Sequence, residues 1–238
     1  MRSLRRQRYA IFVTLLVVVG LLAGPAQALM FADERAKFFS NDFVDWATFA
    51  PGEDVALVPN GSSTTSNNLG VAVTVANPEN KDFLLIDNVN LNFGGSYLLL
   101  TAIDDGVGPL KITFDRPIFA AGAQIASNNN VLPHLAMIEA FDSAGISLGF
   151  FQREGFNNPL VPVNFMGVFD PLMSIRSLQF SLELIDGDFF FPGDFFINQL
   201  AFLVCPDCPP CPPVPLPGSL LLVGSILAGA VGWRRPHR

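Results

Sequence analysis

Cysteine is missing from the first 204 residues of this 238-residue chain, and the three copies it has stand together at 205, 208 and 211. That excludes a disulfide-stapled fold and a thiol nucleophile in the body of the protein. Histidine is almost as scarce, with His134 in the body and His237 near the end. No His-Glu-x-x-His sequence occurs, so the usual zinc-hydrolase arrangement is absent. Positive charge is also in short supply. Residues 29 to 217 carry seven Lys and Arg against all 21 Asp and Glu, a net charge of −14. A surface this acidic repels nucleic acid, which is thereby excluded as a partner. Helical periodicity is confined to two brief stretches, Asp33–Phe39 and Asp42–Phe49.

What the chain has in quantity is apolar residues, 50% of the total with 23 Phe, enough to bury a sizeable core. In the body they fall in short runs broken by Gly, Pro, Asn and Asp. The strand-like runs are Gly70–Ala76, Phe83–Phe93, Tyr97–Ile103, Leu110–Phe114, Ala121–Ala126, Leu135–Phe141, Ile146–Gln152, Asn164–Phe169, Ser177–Leu184 and Asp194–Val204. This spacing predicts an all-β domain over residues 29–204, a jelly-roll-like antiparallel β-sandwich. Paired Phe residues such as Phe189-Phe190-Phe191 and Phe195-Phe196 read first as core, with a sugar-stacking platform as the alternative. The polar run Asn60–Asn68 reads as a surface loop.

Asp142–Gly145, Asp104-Asp105-Gly106, Asp186-Gly187-Asp188 and Asn128–Asn130 read as hairpin tips. Asp104, Asp105, Asp186, Asp188 and Asp194 are also the candidates for a structural calcium, the only cofactor that the acidity suggests, although no EF-hand spacing is present. Glu139, Glu154 and Glu183 are the best acids for a glycosidase-type reaction, but no recognisable catalytic constellation accompanies them.

The two ends of the chain differ from the body. Residues 1–28 hold Arg2, Arg5, Arg6 and Arg8, an apolar run, then Gly24-Pro25 and Ala26-Gln27-Ala28. That is the layout of a secretory signal peptide, cut by signal peptidase after Ala28; an uncleaved anchor helix is the alternative. Residues 205–217, CPDCPPCPPVPLP, form an extended proline-rich linker. Its Cys205, Cys208 and Cys211 lack a fourth zinc ligand and, in an exported chain, suit a local or intermolecular disulfide or an inert spacer. Residues 218–233 are an apolar run at the short end for a transmembrane helix, followed by the basic cluster Arg234, Arg235 and Arg238.

Val214-Pro215-Leu216-Pro217, the apolar run and the terminal arginines together resemble the PEP-CTERM sorting signal of bacterial exported proteins, nearest its VPLPA-CTERM variant. The resemblance covers about the last 25 residues, 214–238. It implies recognition of Val214–Pro217 by an exosortase-type membrane protease, transient anchoring in the cytoplasmic membrane, and delivery to the cell surface or extracellular matrix. Gly218 stands where the variant usually has Ala, and Pro236-His237 interrupts the basic tip. An ordinary single-pass anchor is the alternative. The body is loosely similar to galactose-binding-like β-sandwich domains, but a final strand that commonly reads Ile-Asp-Asn-Leu is here Ile197-Asn198-Gln199-Leu200, which removes a carboxylate. The functional expectation is a non-catalytic surface or matrix protein, with a polysaccharide-binding module as the alternative and an enzyme as the remoter one.

Overall fold

The computed structural model describes residues 29–87, 97–100, 108–129, 132–156 and 163–204. The signal peptide, Asp104-Asp105-Gly106, Asn130, the Pro/Cys linker and the sorting signal lie outside the described residues, as do the ends of two expected strands beyond Asp87 and Leu100. Residues 1–204 and 205–238 form separate units. Among the described residues, no helix is long and apolar enough to cross a membrane.

The described residues form two antiparallel sheets. The larger sheet contains β1 (Met30–Ala32), β2 (Asp42–Val44), β3 (Val55–Val58), β6 (Phe83–Asp87), β7 (Tyr97–Leu100), β9 (Ala120–Ser127), β12 (Phe165–Phe169), β15 (Phe195–Ile197) and β16 (Leu200–Leu203). The smaller contains β4 (Ser63–Thr65), β5 (Ala72–Ala76), β8 (Leu110–Ile118), β10 (His134–Phe141), β11 (Ser147–Gly155), β13 (Ile175–Asp186) and β14 (Phe189–Pro192). In the smaller sheet the strand order is β11-β10-β13-β8-β5-β4, with β14 paired to β13.

Period-2 alternation explains how the sheets meet. His134, Ala136, Ile138 and Ala140 of β10 are buried while the residues between them are half-exposed, and Leu178, Phe180, Leu182 and Leu184 of β13 repeat the pattern. The apolar ones join Val73, Val75, Ile112 and Phe114 against Phe83, Leu85, Met166, Phe195 and Phe202 of the larger sheet in one core. Burying each such aliphatic or aromatic side chain stabilises the fold by roughly 1.5–3 kcal/mol.

The two outer faces differ in kind. On the larger sheet Leu98, Leu100, Ala126 and Phe196 form a second apolar cluster with Leu84 and Ile86, and Phe38, Ala120, Phe165 and Ala201 form a third. The larger sheet is therefore apolar on both sides, whereas the smaller one turns a mixed polar face to water.

Several expectations need correction. Asp42–Phe49 is not a helix but β2 followed by a 3-10 turn at Trp46–Phe49, and Asp33–Phe39 keeps only a 3-10 turn at Arg35–Lys37. The cause is Asp42, whose buried carboxylate accepts from Ser66 Oγ and from the backbone amides of Phe43, Asn68 and Leu69, which ties the segment down as extended chain. The same contacts order Asn60–Asn68, which is not all loop: Ser63–Thr65 pairs with β5 as β4. Asp194–Val204 is two strands broken at Asn198. Phe189, Phe190 and Phe191 are not core; they are 77%, 57% and 38% exposed on β14. That strand pairs only with the end of β13, so no second layer covers it among the described residues. Phe195 and Phe196 are buried, as expected.

The hairpin tips at Asp142–Gly145 and Asp186–Asp188 form as expected. Gly145 has φ 76° and Gly187 φ 62°, the left-handed conformation glycine adopts without strain. Asp142 Oδ1 accepts from the amides of Ala144 and Ile146, both at 2.8 Å, closing the β10–β11 turn.

Candidate functional site

The outer face of the smaller sheet is assembled from odd-numbered residues of β10 and β13 and their cross-strand partners. Antiparallel register places Glu154, Leu135, Glu183 and Pro192 in one row across β11, β10, β13 and β14. The next row is Gln152, Met137 and Ser181. A third runs Phe150, Glu139, Gln179, Lys111 and Ala76, reaching β8 and β5. Phe141, Ser177, Thr113 and Thr74 follow, with Ser63 Oγ and Thr74 Oγ1 hydrogen-bonded at 2.7 Å. Phe190, opposite Ile185, stands at the far end of the same face.

This is an amphipathic platform. Phe150, at the β11 edge, and Phe190, on β14, are 50% and 57% exposed at opposite corners of a field of amides, hydroxyls and carboxylates. By strand spacing and rise they are about 14 Å apart across the sheet and about 20 Å apart along it. Lys111 places its ammonium 6.0 Å from the Phe141 ring centroid, a cation–π contact that links the Glu139 row to the next. Ion pairs among the described residues involve other groups, Lys37 with Asp33 and Glu34, and Arg116 with Asp115. Among the described residues Glu139, Glu154 and Glu183 make no ion pair; Glu154 is exposed and the other two are half-exposed.

The three glutamates singled out in the sequence thus share one face. Glu154 and Glu183 flank Leu135, their backbones two strand spacings or about 10 Å apart, and Glu139 lies about 13 Å further along β10. They sit on an open strand surface, suited to accepting hydrogen bonds from hydroxyl or amino groups. Sequence reasoning passed over Phe150, Gln152, Gln179 and Ser181, and read Phe190 first as core with a sugar-stacking platform as the alternative. The alternation of HLAMIEAF and SLGFFQREG carries the signal, but Leu135 and Met137 on the wet face blur which side is core.

Asp186 and Asp188 flank Gly187 in the β13–β14 turn, and Asp194 precedes β15, its carbonyl accepting from the Asn128 amide at 2.9 Å. Among the described residues no group of three or more His, Cys, Asp or Glu is placed to hold a metal ion. Asp104, Asp105, Cys205, Cys208, Cys211, Val214–Pro217, Arg234, Arg235, Arg238, Ala26 and Ala28 lie outside the described residues.

At Asn198 the lost carboxylate of the expected motif has a structural explanation. The side chain is 7% exposed; its Oδ1 accepts from the Gln124 amide and its Nδ2 donates to Gln124 Oε1, both at 2.7 Å. Its carbonyl accepts from Trp46 Nε1 at 2.7 Å. Asn198 ties three segments together and faces away from the exposed platform.

His134 is the other buried polar side chain of note. It is 2% exposed, and neither ring nitrogen has a hydrogen-bond partner among the described residues. Burial pushes its pKa down from 6.5 to about 4, so the ring is neutral at physiological pH.

No family model matches the chain, and no curated protein matches it. Solved structures do align. A DUF4465 family protein from Bacteroides caccae aligns at 14% identity and TM-score 0.42, over 68% of this chain and 99% of that one. A family 11 carbohydrate-binding module from Clostridium thermocellum, solved with a β-1,3-1,4-mixed-linked tetrasaccharide, aligns at 12% identity and TM-score 0.26, over 68% and 95%. The enzymatically active domain of bacteriophage CBA120 tailspike protein 4 aligns at 15% identity and TM-score 0.30, over 67% of this chain but only 20% of its own length. The described residues are all-β, two antiparallel sheets packed on one core.

Proposed function

We propose that the protein is an exported, non-catalytic binding module that holds a polysaccharide on the outer face of its smaller sheet. The observation that carries this is the platform itself: exposed Phe150 ends the Glu139–Gln179 row on β11, and exposed Phe190 stands past the Glu154–Glu183 row, with Gln152 and Ser181 on the face between. Aromatic faces stack on the apolar faces of sugar rings, and amides and carboxylates bond the hydroxyls. Because the residues stand on paired strands, the platform needs little ordering when it binds.

The sequence supports the location. Residues 1–28 direct export with cleavage by signal peptidase after Ala28, and residues 214–238 serve as a sorting signal for an exosortase-type protease. The body then passes through the cytoplasmic membrane to the cell surface or extracellular matrix, where secreted polysaccharide is the partner at hand. Retention of the chain on polysaccharide from its own cells, reduced at least tenfold by Phe150→Ala with Gln179→Ala, tests the binding. Equal retention of wild type and variant refutes it.

A further inference from the structure

Among the described residues, His134 opens β10 on the core face, with register partners Gly155 at the end of β11 and Leu184 in β13. The fit around it is tight. A methyl group added at Gly155 would collide with His134 Nε2 and Asn164 Nδ2, so glycine leaves room for the ring where any other residue would take it. Asn164 in turn donates from Nδ2 to the Glu154 carbonyl at 3.1 Å, clipping the same end of β11.

An imidazolium donates from both nitrogens and needs acceptors or water for each. The pocket supplies none among the described residues. Nor does any nearby charge compensate. On β11, Arg153 is cationic and donates to the Asp33 carbonyl at 2.5 Å, while Glu154 points to the outer face. On β13, Glu183 points to the outer face and Asp186 is exposed at the strand end. β9 and β12, which pack from the other sheet, contain no charged residue, and Asn164 is neutral.

The ring therefore takes up a proton by leaving its site, and the weakest wall is β11. That strand is the edge of the sheet: among the described residues its only strand partner is β10, with single side-chain bonds from Arg153 to Asp33 and from Asn164 to Glu154 besides, whereas β13 is paired on both sides. Local opening follows the edge. We propose that His134 is an acid-operated latch: the neutral ring seats the Gln152–Gly155 end of β11, and protonation releases that end and breaks the row of outer-face residues it carries. The consequence for polysaccharide rests on the function proposed above, since Gln152 and Glu154 leave the platform when the strand end detaches. The latch itself is independent of any ligand.

Amide hydrogen exchange on the intact chain at pH 7 and pH 4, corrected for intrinsic rates, tests it. Protection at residues 152–155 should fall at least tenfold at pH 4, with β8 and the centre of β13 retaining theirs. In His134→Leu the 152–155 amides should stay protected at both pH values. Loss of protection to the same extent in wild type and variant overturns the proposal, as does unchanged protection in wild type. If the variant does not fold, the imidazole proton resonances of wild type decide, because the chain has only two histidines. The midpoint of His134 titration should coincide with the midpoint of β11 release, and separate midpoints overturn the latch. Failure to bind polysaccharide at pH 7 would count against the platform and leave the exchange result standing.

Discussion

Replacing Asn198 by Asp puts a carboxylate where this chain has a buried amide, and it should destabilise the fold. The amide acts as acceptor and donor at once: Oδ1 takes the Gln124 backbone amide, while Nδ2 gives to Gln124 Oε1. A carboxylate keeps the first bond and turns the second into a contact between two oxygens. Gln124 can relieve it only by rotating its amide, which surrenders the 3.4 Å bond from its Nε2 to the Val163 carbonyl. Losing a neutral bond costs about 1 kcal/mol, and leaving a buried polar group without its partner adds about 1–3 kcal/mol. The expected total for Asn198→Asp is about 2–4 kcal/mol at pH 7. For a body of this size that lowers Tm by roughly 5–12 °C. The loss should shrink on acidification, because a protonated carboxyl can donate to Gln124 Oε1 again. Thermal unfolding followed by circular dichroism at pH 7 and pH 4.5 measures both effects. A Tm within 1 or 2 °C of wild type at pH 7 would refute the reasoning.

Gly122→Ala should be among the most damaging single substitutions in the body. A methyl there would lie 2.7 Å from Gly167 Cα and from the Met166 carbonyl oxygen, backbone atoms that cannot step aside, so loss of soluble, folded protein is expected on expression, and a normal yield and Tm would contradict it. Stability should also depend on His134. Its pKa is about 4 in the fold against 6.5 unfolded, so between those values the unfolded chain binds more protons, and stability present above pH 6.5 is lost as pH falls toward 4. Urea denaturation of wild type minus His134→Leu across pH 4 to 7 should resolve about 3 kcal/mol of such loss; a flat difference would contradict the burial of the ring.

Much of the architecture was legible because strand signals are local. The runs at Leu135–Phe141, Ile146–Gln152 and Ser177–Leu184 became β10, β11 and β13, and Gly145 and Gly187 closed the hairpins their neighbours announced. What was not legible depended on partners far away in sequence. Asn60–Asn68 looks like a loop until Ser66 Oγ and the amides of Asn68 and Leu69 meet the Asp42 carboxylate. Phe189–Phe191 looks like core because composition cannot reveal that β14 lacks a covering layer among the described residues. The shared face of Glu139, Glu154 and Glu183 required the register of three strands, which no single run specifies.

The central claim is that ligand meets the outer face of the smaller sheet. Backbone amide shifts of the isotopically labelled chain, recorded at pH 7 with increasing polysaccharide from its own cells, test it most directly. The account predicts saturable shifts concentrated at Phe150, Gln152, Met137, Gln179, Ser181 and Phe190, with β6 and β7 unmoved. Shifts confined to the larger sheet, or none at millimolar sugar-repeat concentrations, would contradict it.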